Sequence, residues 1–370
     1  MKQNLFSLLV SCSLLFSCSS DSKNSEFVEI PVDIDQNNSL TLSEITETMT
    51  AIELELTDES VMNPQLINRV FICDDNVIVT ERKILIFNTN GKFIRSIGSK
   101  GQGPGEYNSI ANSAIDEKNK RLFVNASNKI IVYDFYGNYL REYSIIQKGG
   151  SIRDINYINN ELLVIVEYTG REYEKGIFNH SIIYQLNEEL QITDSCTIRN
   201  DYFETKTLSF FYYTYDDFIL NCNSTIYLYY PYFYNDEQNP KETALQDTLY
   251  RFEKNYLIPE LKMKFKNDGM DGSGNRIITL LNIYRSSRYT FAIYYNNRDR
   301  KSYCFCYDTK TEKGYNMKDG YVDDINQIDK PVTILPLNSN TEMFYYWHTT
   351  IKPDDLEEPN PTIYIGKLKK

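Results

Sequence analysis

From residue 66 onward the chain alternates short apolar runs with turn-forming residues. Val, Ile, Tyr and Phe dominate the runs, the residues that fit a pleated, half-buried surface. No amphipathic stretch of helical period reaches a useful length. The clearest unit spans 76–97, where Val77–Thr80 predicts one strand, Ile84–Phe87 the next and Lys92–Ile97 the returning one. The turn Asn88-Thr89-Asn90-Gly91 ends in Asn-Gly, which supplies the positive φ angles of a tight hairpin. The unit recurs in Arg121–Val124, Ile130–Tyr133, the turn Asp134–Gly137 and Asn138–Tyr143. Its turn glycines, Gly91 and Gly137, lie 46 residues apart, and propeller blades repeat at about 40–50 residues.

Later copies are less regular. They are Leu162–Tyr168 with Ser181–Leu186 and Leu190–Thr193, then Thr225–Tyr230 with Thr248–Phe252 and Leu257–Phe265. Tyr289–Tyr295 with Ser302–Tyr307, and Met343–Trp347 with Thr362–Leu368, complete the series. Each unit should open with a strand, placed at 66–72, 110–115, 152–157, part of 209–220, 277–283 and 331–335. The last unit lacks a fourth strand. Ala51-Ile52-Glu53-Leu54-Glu55-Leu56 alternates apolar and acidic, so a strand over about 50–57 is predicted to fill the gap and close the ring. Phe27–Ile34 is read as a further outer strand and Leu42–Ile45 as one helical turn. The predicted fold is all-β: one six-bladed β-propeller of four-stranded antiparallel blades over 27–370, with blades from about 66 to 368.

Several segments carry a family likeness: Leu42-Ser43-Glu44-Ile45, Ala51-Ile52-Glu53-Leu54, Ile86–Ile94 with its Asn-Gly turn, and Gly101-Gln102-Gly103-Pro104-Gly105-Glu106-Tyr107. Together they resemble the six-bladed β-propeller lipoproteins of Gram-negative anaerobes, most of which lack an assigned activity. The likeness is strongest over about 40–145 and rests on blade count beyond. It implies a fold and a lipid anchor, and transfers no catalytic residue. A more distant likeness is to propellers with NHL-type repeats, among which are both enzymes and protein-binding modules.

The amino terminus reads as a targeting segment. Lys2 precedes a short apolar stretch, Leu5–Phe16, too short to span a bilayer. Leu15-Phe16-Ser17-Cys18 resembles a lipobox, so 1–17 is read as a lipoprotein signal peptide and Cys18 as the lipid attachment site. Residues 18–26 follow as a flexible polar tether. The expected location is the cell envelope, lipid-anchored to the outer membrane, with the periplasmic or surface side open. The membrane is expected to be met through that lipid alone.

Composition narrows the partners. With 39 Lys+Arg against 51 Asp+Glu the net charge is −12, and no basic run is present. Nucleic acid is therefore not an expected partner. Two histidines, His180 and His348, leave little for a multi-His metal site. Cys73, Cys196, Cys222, Cys304 and Cys306 form no disulfide framework and are read as buried free thiols, with Cys304 and Cys306 on one side of a strand.

Antiparallel alternation puts the inter-blade links and the second-to-third-strand loops on one face. Ten of the sixteen glycines fall in those links, and the longest loops, 169–180, 231–246 and 349–361, map there too. That face is expected to bind. Its candidates are Glu106, Tyr107, Tyr173, His180, Tyr232, Phe233, Tyr234 and His348. Tyrosine offers a flat apolar ring with a polar tip, suited to sugars or extended peptides, whereas Tyr227 and Tyr229 alternate as blade-packing residues would. Gly101–Tyr107 lacks the Lys-Ser/Thr of a phosphate loop. Asn267–Asn275 resembles a calcium loop but fails at Gly269 and Ile278, so calcium is a weak candidate cofactor and no other is implied. The function expected is a monomeric binding module for a glycan, peptide or envelope protein. The alternative is a propeller-type hydrolase or lyase with a metal on the central axis, which needs convergent acid, amide or His ligands from several inner strands; the inner-strand polar residues Arg69, Asp116 and Asn282 are not grouped by sequence alone.

Overall fold

The computed structural model describes residues 27–126, 129–144, 150–173, 176–203, 208–210, 217–235, 245–273, 276–351 and 357–370. The segments read as signal peptide and tether, with Cys18, lie outside them. The architecture is all-β and propeller-like, built from successive antiparallel meanders.

The first meander is Arg69–Cys73, Asn76–Thr80, Ile84–Asn88 and Phe93–Ile97. The second is Asn112–Asp116, Arg121–Asn125, Ile130–Asp134 and Tyr139–Tyr143. The third is longer: Gly150–Ile158, Glu161–Tyr173, Gly176–Leu186 and Ile192–Phe203. The fifth is Ile278–Arg285, Tyr289–Asn296, Lys301–Asp308 and Lys313–Lys318. These four stand as separate four-stranded sheets.

The strands expected of the fourth and sixth blades are not separate. They form one nine-stranded sheet, so six independent blades are not what the hydrogen bonding gives, and among the described residues no sheet closes on itself. One half is Ile219–Cys222, Thr225–Tyr229, Thr248–Glu253 and Tyr256–Phe265, with Val28–Val32 added in parallel at its outer edge. The other is Leu335–Leu337, Asn340–His348, Thr362–Leu368 and Thr46–Glu53. The halves join through a single parallel pair, Asn221 with Asn340, where Asn221 N–H donates to the Ser339 carbonyl at 2.8 Å. The inner strand of the fourth meander and the turn into the second strand of the sixth approach there closely enough to share a backbone bond.

Six apolar clusters fill the spaces between meanders. Successive ones join first to second (Ile78, Val124), second to third (Phe123, Val164), third to fourth (Ile165, Leu228) and fourth to fifth (Tyr229, Phe305). The next joins the fifth to the sixth (Phe291, Phe344), and the last returns from Tyr345 and Ile363 to Val77 and Phe87 of the first. Tyr227 and Tyr229 sit in this packing, as their alternation predicted.

The closing strand lies at Thr46–Glu53, earlier than the alternation suggested, because Ile52 and Leu54 continue into the last cluster while the ladder stops at Glu53. Gly91 shows why this junction needs glycine. Its φ is +78°, and a Cβ there would meet the Glu53 carbonyl oxygen at 1.8 Å. The helical turn Leu42–Ile45 forms as expected, capped by Thr41 and Glu44. All five described cysteines are free and buried, and Cys304 and Cys306 share one cluster. No helix among the described residues is long and apolar enough to cross a membrane.

Candidate functional site

The inner strands bring a polar hub to the centre. Arg69 opens the first inner strand and is buried. Its guanidinium donates to Asp154 Oδ1 at 2.6 Å, to the Ile155 carbonyl at 2.8 Å, and to the Ser113 carbonyl. It also pairs with Asp217 at 2.7 Å. Asp154 Oδ2 accepts the backbone N–H groups of Phe218 and Ile219 at 3.0 and 3.3 Å. The hub therefore ties the first, second and third meanders to the segment entering the fourth. Burial pushes the Asp154 carboxyl up to about 7, opposed by Arg69 and reinforced by Asp217, and burial raises Asp217 as well. Two carboxyl groups face one guanidinium, so burial and their mutual repulsion favour the protonated form at this hub.

A second set of contacts sits where the inner strands turn. Asn338 Nδ2 donates to the Ile72 carbonyl at 2.6 Å and to Glu117 Oε1 at 2.7 Å, while its Oδ1 accepts Ile72 N–H at 2.9 Å. The amide thus mimics a ladder residue between the sixth and first meanders. Asn156 Nδ2 reaches the Ile219 carbonyl at 2.7 Å and Ser339 Oγ at 2.6 Å. A cavity of about 520 Å³ opens beside them, lined by Ile72, Glu117, Asn160, Asn221 and Met343 among others. Asn159, Asn160, Asn338 and Ser339 all have positive φ, so these polar residues are first of all the chemistry of tight hairpins.

The axial metal reading meets a direct obstacle. Acceptors at the hub converge on a guanidinium, so the place of a cation is already taken by Arg69. Among the described residues no three His, Cys, Asp or Glu side chains stand together as a metal would need. Asp116 is bound to Arg121 at 2.6 Å rather than aimed at the axis as a ligand. Asn282 is buried in the fifth inner strand and does not join the hub.

The candidate residues of the link face divide. Tyr107 is buried at 4% exposure, its hydroxyl donating to the Ile97 carbonyl at 2.9 Å. It is core, not binding surface, and burial pushes its phenol up to about 12. Glu106 folds back, its Oε2 accepting Gly103 N–H at 2.8 Å, so it shapes the glycine link. His180 is half-buried within the strand Gly176–Leu186, its ring 5.5 Å from Phe178. Tyr232, Phe233 and Tyr234 were expected in a loop. Their backbone forms the strand Tyr232–Asn235, paired with Leu208–Phe210 and Leu245–Gln246. Their side chains, and that of Tyr173, lie outside the described residues. Likewise 169–180 is largely the extended hairpin of the third meander, not a loop.

His348 ends the strand Asn340–His348 and borders a cavity of about 630 Å³ at the junction of the sixth and first meanders. Met62, Asn63, Pro64, Gln65, Trp347, Thr349 and Glu358 complete its wall. The walls are fixed. Asn360 donates to the Glu55 and Ser60 carbonyls at 2.9 and 3.0 Å and accepts Met62 N–H at 3.2 Å. Asn63 caps the turn Pro64–Leu66 by accepting Gln65 N–H. Trp347 is half-buried, packed against the closing cluster and stacked 6.0 Å from Tyr345. A lone Trp beside one of two histidines was a visible sequence signal for this spot. Nothing local marks Asp154 and Asp217 as partners of Arg69.

The chain belongs to the family described as a domain of unknown function, DUF4934, which matches residues 26–368. Among solved structures it is similar to a protein of Bacteroides fragilis described as a candidate exported protein, at 15% identity and a TM-score of 0.62. That match covers 93% of this chain and all of the other, and it shows a shared fold alone. Weaker likenesses are to a protein of unknown function from Bacteroides caccae (11% identity, TM-score 0.36, covering 78% and 89%) and to an oligogalacturonate lyase from Vibrio parahaemolyticus (10%, 0.40, covering 90% and 84%). Neither carries an argument about function. No curated protein matches the chain significantly.

Proposed function

We propose that this chain is a lipid-tethered, extracytoplasmic binding module, a six-bladed propeller whose link face engages a glycan, peptide or envelope protein. The observation that carries the reading is an asymmetry between faces. The extended hairpin of the third meander, the small sheet of Leu208–Phe210, Tyr232–Asn235 and Leu245–Gln246, and the hairpin Tyr321–Asp323 with Ile328–Val332 are all added at the link end. The opposite end carries mostly tight turns such as Asn159-Asn160 and Asn338-Ser339. Counting the nine-stranded sheet as two blades joined at Asn221 supports the sixfold reading, as does the packing that returns from the sixth meander to the first. The lipobox-like Leu15–Cys18 supports the anchor, and the likeness to a candidate exported protein agrees with that location.

Two experiments test the parts separately. Labelling cells with an alkyne palmitate should mark the wild-type chain and not the Cys18→Ala variant, which should leave the membrane fraction. Equal labelling of both would remove the anchor. Glycan and peptide arrays probed with the full chain in detergent should yield a ligand whose hydrogen-exchange footprint falls on the link face. A footprint on the tight-turn face would overturn the placement.

A further inference from the structure

The cavity at the junction of the sixth and first meanders has the make-up of a sugar subsite, and the inference rests on the binding-module reading. Trp347 supplies an indole whose inner part is locked against the closing cluster and whose remaining surface borders about 630 Å³ of open space. An aromatic plate fixed by packing loses little freedom when a ring lies on it, which favours a pyranose with one apolar face. Around it stand hydrogen-bonding groups of the types that read hydroxyls: the Gln65 amide, the Asn63 amide, the His348 imidazole and the Glu358 carboxylate. Gln65 and Glu358 are exposed, so these groups can turn toward a ligand. The backbone beneath is held by Asn360 and by the Asn63 cap, so the walls precede the ligand.

Charge selects further. Among the described residues no Lys or Arg lines this cavity, Glu358 does, and the chain as a whole carries −12. Uronic or sulfated sugars would be repelled by the Glu358 carboxylate. We propose that the Trp347 cavity binds a neutral pyranose unit of an oligosaccharide, with the ring on the indole and its hydroxyls on Gln65, His348 and Glu358.

Trp347 is the only tryptophan in the chain, so its fluorescence reports on this cavity alone. The full chain in detergent is titrated with cellotriose, maltotriose, mannotriose, chitotriose and lactose, with calorimetry in parallel. One or more should give a saturable shift of the emission. Gln65→Ala and Glu358→Gln, at exposed positions, should fold normally and weaken binding, and Trp347→Ala should weaken it about tenfold by calorimetry. A sugar that binds by calorimetry without moving the emission would overturn this site and leave the binding-module reading intact. A peptide from the array that shifts the emission while every sugar fails would overturn the pyranose assignment and keep the cavity as a site. No emission change with any probe overturns the proposal.

Discussion

Arg69→Met puts the axial hub to a quantitative test. Methionine keeps the length of the side chain and removes the guanidinium, which is 4% exposed and bound to Asp154 and Asp217. The loss is four interactions, with Asp154, Asp217 and the Ser113 and Ile155 carbonyls, and it leaves two buried carboxyl groups without a counter-charge. Removing one partner of a buried ion pair costs about 3–5 kcal/mol. Unfolding entropy of about 2.1 cal/mol/K per residue, taken over 370 residues, converts this to a Tm lower by roughly 4–6 °C. The pH dependence follows from the raised carboxyls. Asp154 holds its proton up to about pH 7 when folded, against about 4 for an unfolded Asp. Its contribution is therefore fully present below about pH 4 and is lost as pH rises toward 7. Without Arg69 both carboxyls hold protons more tightly, so the deficit of the variant should be largest at pH 8 and narrow at pH 5. Adding Asp154→Asn and Asp217→Asn to Arg69→Met should recover most of the loss. Calorimetric scans at both pH values decide it, and a deficit that is absent or equal at pH 5 and pH 8 would refute the reasoning.

Asn338→Gly keeps the positive φ of the turn, 51° in the native chain, and deletes the amide that joins Ile72 and Glu117. It should cost about 1–3 kcal/mol in urea unfolding, and an unchanged midpoint would mean that water replaces the clamp. The five described thiols are buried, and burial raises each. A thiol reagent should therefore react with them only as the protein unfolds, and rapid reaction of the native protein would contradict the packing. Gly91→Ala should destabilise the junction with Glu53 by more than about 1 kcal/mol, read as a lower denaturation midpoint.

The strands were legible because turns and β-branched residues alternate at short range. Asn88–Gly91 and Asp134–Gly137 announce their hairpins, and the predicted first strands overlap the observed ones in the first five meanders, whereas the sixth lies at Leu335–Leu337, at the far end of 331–335, because Ile328–Val332 pairs in a separate hairpin. The merging of two meanders was not legible, since it depends on how closely Asn221 and Asn340 approach in space. The hub was hidden for the same reason. Arg69, Asp154 and Asp217 come from three places in the chain, and each alone reads as an ordinary charged residue. Tyr107 misled because loop position suggested exposure, whereas Gly98 and Gly105 bend the link so that its ring turns inward to Ile97.

The pairing of Thr46–Glu53 with Thr362–Leu368 has a consequence in time. Thr46–Glu53 emerges early in synthesis or translocation and must wait for a partner about 300 residues later. Val28–Val32 waits likewise for Leu261–Phe265. Such distant pairings fold slowly, since the intervening chain has to be ordered before they are rewarded. A nascent chain stalled before Thr362–Leu368 would hold the sixth meander incomplete and its apolar flank uncovered, making that strand a checkpoint for the quality of the whole.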